Sequence, residues 1–114
     1  MTAFRLLLAA MLLVLLAYTS FVIADHGMGL VPIFFGDMLE MGWPGQFNLD
    51  FFGFLILSAL WTAWRSDFSA LGLALAVPAL TGGILFLTIY LLVLTSGRGA
   101  NIRTVLLGAR RAAA

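Results

Sequence analysis

The sequence predicts an all-α integral membrane protein, with three transmembrane helices and a short interfacial helix between the first and second. Three observations carry this. First, 63% of the 114 residues are hydrophobic and only 10% are charged. A soluble domain carries about a quarter charged residues, so lipid must be the solvent for most of this surface. Second, the apolar residues gather into three runs near or above the roughly 20 residues that cross a bilayer core. Third, tryptophans, tyrosines and arginines cluster at the ends of those runs, where amphipathic side chains meet the headgroups.

The same composition excludes several function classes. Six basic and five acidic residues leave a net charge of +1, too small a field to hold nucleic acid. There is no cysteine, hence no disulfide, thiolate metal site or thiol nucleophile. The length fits a single membrane domain.

The first span is residues 4–24, a Leu- and Ala-rich run with Arg5 at its edge and Tyr18, Thr19 and Ser20 near its far end. Arg5, Leu6 to Leu16 and Val22-Ile23-Ala24 also fit a cleaved signal peptide, but the apolar run outlasts the usual signal core. Residues 30–43 follow as an apolar segment with Pro32 in its first turn and Phe34, Phe35, Met38 and Leu39 on one helical face. It reads as an interfacial helix, with Trp43 at headgroup depth.

Pro44 and Gly45 then read as a turn. The second span, 47–65, is short. From Phe51 to Trp64 it measures roughly 21 Å, against a core of roughly 30 Å. The crossing must therefore take in Asn48 and Asp50, with Asn48 as the expected N-cap and Trp61, Trp64 and Arg65 at the far interface. Ser66 or Asp67 is the expected cap of the third span, 70–96. That span pairs Gly72 with Ala76 and Ala79 with Gly83 at the four-residue spacing that lets helix backbones approach. Pro78 should kink it. The tail, 97–114, carries Arg98, Arg103, Arg110 and Arg111 and no acid. It reads as a basic amphipathic segment on an anionic lipid surface.

Three crossings set two orientation signals against each other. The arginines of the tail favour a cytoplasmic tail; Arg5 before the first helix and Asp25 after it favour a cytoplasmic amino terminus. The first helix usually dominates, so the amino terminus is expected inside.

Asp50 is the leading candidate for function, because a carboxylate within a membrane span is costly and marks proton or ion paths. Gln46 and Asn48 would supply its hydrogen bonds. The competing explanation is helix capping, where a negative charge in the first turn is favoured by the helix dipole. Asp25, His26, Asp37 and Glu40 form a second, acidic group with the donor types of a divalent-ion or proton site; with a single histidine and no paired-ligand spacing, a solvated loop explains it as well. No metal and no cofactor is expected. Interfacial anchoring accounts for Trp43, Trp61 and Trp64.

The run Tyr18-Thr19-Ser20-Phe21-Val22, then His26-Gly27, then Gln46-Phe47-Asn48-Leu49-Asp50 leading into a Trp- and Arg-terminated helix resembles a bacterial family of small three-helix integral membrane proteins. That family is known only as a domain of unknown function. The likeness covers residues 10–96 loosely, and the tail departs from it. It implies the fold, the bacterial inner membrane, and an Asp at the start of the second helix; it implies no activity. Taken together, the sequence is that of a non-enzymatic accessory or interaction subunit, with the lipid bilayer and a homo-oligomer or larger membrane complex as partners. The alternative is a small oligomeric transporter or channel coupled through Asp50.

Overall fold

A computed structural model describes residues 1–114. The all-α class is observed. Its helices are α1 (Thr2–His26), α2 (Leu30–Leu39), α3 (Trp43–Arg65), α4 (Ala70–Leu94), α5 (Ile102–Leu107) and α6 (Ala109–Ala113). Three of them, α1, α3 and α4, are long and apolar enough to cross a membrane, and the shorter apolar α2 stands between the first two.

The connection between α2 and α3 differs from the expected turn at Pro44-Gly45. The chain reverses at Met41, which has φ 59°, and Gly42 is the N-cap of α3. Pro44 lies in the first turn of α3, where its missing N–H removes nothing the helix uses. The second span is therefore 23 residues long, roughly 34 Å, and its expected shortness disappears. Asn48 lies in the second turn of α3 and caps nothing. Gly45 is buried because α2 crosses α3 there: a β-carbon would overlap the Asp37 carbonyl oxygen and sit 2.8 Å from Met38 Cα.

At the start of α4 the cap is Ser69, not Ser66 or Asp67; its Oγ accepts from the Gly72 N–H at 3.1 Å. The helix continues through Pro78 and breaks instead at Gly83, where φ is 54° and ψ is −135°. An L-residue rarely adopts that conformation and glycine does so readily. The break redirects the chain. Gly72 lies against Ala63 and Ser66 at one end of α3, and Gly83 lies against Phe51 and Leu55 near the other. Tyr90 is back beside Trp61, with ring centroids 6.1 Å apart, and its hydroxyl accepts from Arg65. So residues 70–82 run down α3 and residues 84–94 return along it.

The small residues of α4 serve this packing. Gly72 and Ala79 are buried and Ala76 half-buried, as their spacing suggested, whereas Gly83 acts through its backbone angles. α1 packs on α4, joined by Arg5, which donates to the Leu92 carbonyl at 2.8 Å and to Thr95 Oγ1 at 2.6 Å. These groups belong to the last turn of α4, whose carbonyls have no partner within the helix. The buried hydroxyls of Thr62, Thr88 and Thr95 return to carbonyls of their own helices, which makes them tolerable in an apolar core.

Candidate functional site

Two regions of the molecule carry its polar chemistry, one near each end of α3. At the amino end, Asn48 Nδ2 donates to the Phe34 carbonyl at 3.0 Å and approaches Asp37 Oδ2 at 3.4 Å. It thus clasps α2 to α3. Two residues further on, Asp50 projects from a different face, because successive helical positions differ by about 100°. Asp50 is exposed and makes no hydrogen bond or ion pair. Its neighbours along that stripe, Phe47, Phe54 and Leu57, are 66%, 68% and 64% exposed. A single carboxylate therefore stands in an apolar ridge that nothing in the chain covers. Counting along α3, it lies roughly 10 Å from Trp43 and 22 Å from Arg65. Gln46, one turn before Asp50 on the same face, is exposed as well, while Asn48 is occupied by α2, so only Gln46 and Asp50 share a face.

The acidic group is not assembled either. Asp25 and His26 close α1, Asp37 faces Asn48, and Glu40 is exposed. No three histidine or carboxylate side chains come together in a geometry that holds a metal ion. Trp43 at this end is 74% exposed and is free to anchor in lipid.

The opposite end is the more highly connected. Arg65, the last residue of α3, donates from Nε to the Val105 carbonyl at 2.8 Å, from one terminal nitrogen to Tyr90 Oη at 2.9 Å, and from the other to the Thr104 carbonyl at 3.2 Å. Its guanidinium also lies 6.0 Å from the Trp61 ring and 5.7 Å from the Tyr90 ring, a cation–π arrangement. Trp61 Nε1 donates to the Leu106 carbonyl at 3.0 Å. These donors meet the last carbonyls of α5; those of Val105 and Leu106 have no backbone partner, and that of Thr104 also accepts from the Gly108 N–H. Gly108, with φ 83°, lets the tail pass directly against the Arg65 carbonyl. Arg111 then stacks 4.0 Å over Trp64 and donates to the Trp64 carbonyl at 2.7 Å.

The tail is not one continuous amphipathic segment but two short helices strapped to the bundle. Trp61 and Trp64, expected as lipid anchors, hold that strap. Arg103 donates to the Ala112 carbonyl at 3.2 Å, Arg110 and Arg111 pair with Asp67 at 2.7 and 3.0 Å, and Arg98 alone of the four has no partner. Sequence reasoning missed Arg5, Arg65 and Gly108 as structural residues. The available signal was the pairing of arginines with helix ends that carry no other cap.

An apolar cavity of about 600 Å³ opens between α3, the returning half of α4 and α5, lined among others by Phe51, Leu55, Ser58, Trp61, Leu87 and Val105. Its lining suits hydrocarbon rather than a polar substrate.

The Asp67 carboxyl is held below the usual carboxylate range, chiefly by the hydrogen bond from Arg110, with the charges of Arg110 and Arg111 adding to it and partial desolvation opposing. The same bond raises Arg110. A folded-state value below the unfolded one means the contribution is present at neutral pH and is lost as pH falls through the folded value. Protection of the α6 amides from hydrogen exchange is therefore expected to hold through neutral pH and to fall below about pH 4. Molar salt should lower it too, since the pair is exposed. No protein-family model, curated protein or solved structure matches this chain.

Proposed function

We propose that the chain is a non-enzymatic accessory or interaction subunit of a larger assembly in the bacterial inner membrane. The observation that carries this reading is the uncovered Asp50 in the apolar ridge Phe47–Asp50–Phe54–Leu57. An aspartate facing hydrocarbon costs roughly 2.5 to 3.5 kcal/mol at the middle of a span. A neighbouring helix that presents a hydrogen-bond donor or a cation removes that cost and covers the ridge. The chain brings no arginine to it: its six basic residues all lie toward the other end of α3. The bacterial location rests on the resemblance to the family of small three-helix membrane proteins. No cofactor and no nucleic acid enters this reading.

Extraction of the tagged chain from its native membrane in mild detergent tests it. The expected result is a partner at fixed stoichiometry, either another chain or further copies of this one, whose retention drops at least tenfold in Asp50→Ala. A chain that emerges monomeric and alone sinks the reading. The depth of Asp50 also supports a second reading, a small oligomeric transporter or channel with Asp50 as the coupling carboxylate. In that case Asp50→Asn abolishes ion-driven flux in proteoliposomes while the protein stays folded.

A further inference from the structure

We propose that the chain crosses the bilayer only twice, with α4 entering and leaving on one side, so that all six arginines lie on the side of the anionic cytoplasmic leaflet and the exposed ones meet its headgroups. The path of α4 is the first support. Its start meets Ala63 and Ser66, its break meets Phe51 and Leu55, and its return meets Trp61 and Arg65. Along α3, Phe51 lies roughly 21 Å from Arg65, against roughly 34 Å for the whole helix. The hairpin tip therefore stops about two-thirds of the way across. Irregular backbone at that depth is tolerated only against protein, and the tip packs on α3, with Leu30 and Val31 of α2 next to Leu80 and Thr81.

Charge is the second, independent support. Arg5 binds the last turn of α4, and Arg65 binds the tail that follows. The amino terminus, the 66–69 turn and the tail thus share one end of the molecule, and all six arginines lie there. The only acid at that end, Asp67, is already paired with Arg110 and Arg111. Asp25, Asp37 and Glu40 lie toward the other end, which has no basic residue. The two orientation signals that conflict for three straight crossings then agree, because amino terminus and tail are on the same side. The positive-inside rule makes that side cytoplasmic. Arg5, Arg65 and Arg111 close helix ends, while Arg98, Arg103 and Arg110 are exposed and meet phosphate headgroups.

The chain has no cysteine, so single cysteines report its sidedness directly. Thr2→Cys, Ser96→Cys, Ala114→Cys and Met28→Cys are each made in the full chain, and a membrane-impermeant maleimide is applied to spheroplasts and to inverted vesicles. Thr2→Cys, Ser96→Cys and Ala114→Cys are expected to label only in inverted vesicles, and Met28→Cys only in spheroplasts. Labelling of Ser96→Cys and Ala114→Cys together with Met28→Cys means a third full crossing and overturns the proposal. For the headgroup contact, the protein is released from nanodiscs of equal phosphatidylglycerol and phosphatidylcholine, and the retained lipid is weighed by native mass spectrometry. Several-fold enrichment of phosphatidylglycerol is expected, falling to the bulk ratio in Arg98→Gln/Arg103→Gln. Equal retention in the parent protein overturns the anionic contact.

Discussion

Arg65→Ala is expected to free the tail from the bundle and to lower stability in mild detergent by about 3 kcal/mol. The substitution removes three hydrogen bonds from a charged donor, each worth roughly 1.5 to 3 kcal/mol. The three are not additive, and the carbonyls of Thr104 and Val105 regain water once the tail lifts, so the expected loss falls below their sum. Chemical unfolding in detergent measures the loss, and trypsin cleavage at Arg103 and Arg110 reports the released tail. Arg65→Lys should recover only part of it, because a lysine cannot reach three acceptors in the fixed fork of a guanidinium. Arg98→Ala is the matched control and should change neither readout. If Arg65→Ala unfolds at the same denaturant concentration as the parent and resists trypsin equally, the strap is not what holds this end together.

Gly83→Val should be comparably damaging, for a different reason. At φ 54° and ψ −135° a side chain of L configuration is strained by about 1 to 3 kcal/mol through the backbone alone. A β-carbon would also come within 2.7 Å of Phe51 Cζ. The ring is the far end of a flexible side chain and can move, so the conformational term should dominate. Gly83→Ala in a Phe51→Ala background separates the two. A destabilisation unchanged from that of Gly83→Ala alone assigns the effect to the backbone; one that vanishes assigns it to the ring. Gly82→Ala, one residue earlier and helical, should be milder, because its β-carbon meets only Phe86 Cβ, at 3.0 Å.

The long elements were legible because hydrocarbon-length apolar runs have few alternatives to helix. Their ends were less so. Pro44 is compatible both with a turn and with the first turn of a helix, and only the contact of Gly45 with α2 decides between them. Ser66, Asp67 and Ser69 are all good capping residues; the positive φ values of Asp67 and Phe68 leave Ser69 as the one in position. Pro78 is the strongest local signal for a bend in α4, yet the helix continues through it and breaks at Gly83. The reversal depends on two dihedral angles of Gly83 and on a landing surface formed by Phe51, Leu55 and Trp61. Neither leaves a periodic trace in sequence. The docking of the tail is hidden for the same reason: Arg110 and Arg111 meet Asp67 and Trp64, 43 and 47 residues away along the chain.

The bonds from Arg5 to Leu92 and Thr95 also set an order of events during synthesis. The two partners lie 87 and 90 residues downstream of Arg5, so that much further chain must be made before these bonds can form. Until then α1 lacks this fastening, although α2 and α3 are already made. α1 is thus made well before the contact that fastens it. Fastening of α1 is therefore a late step of assembly, dependent on the end of α4 rather than on the helices that directly follow α1.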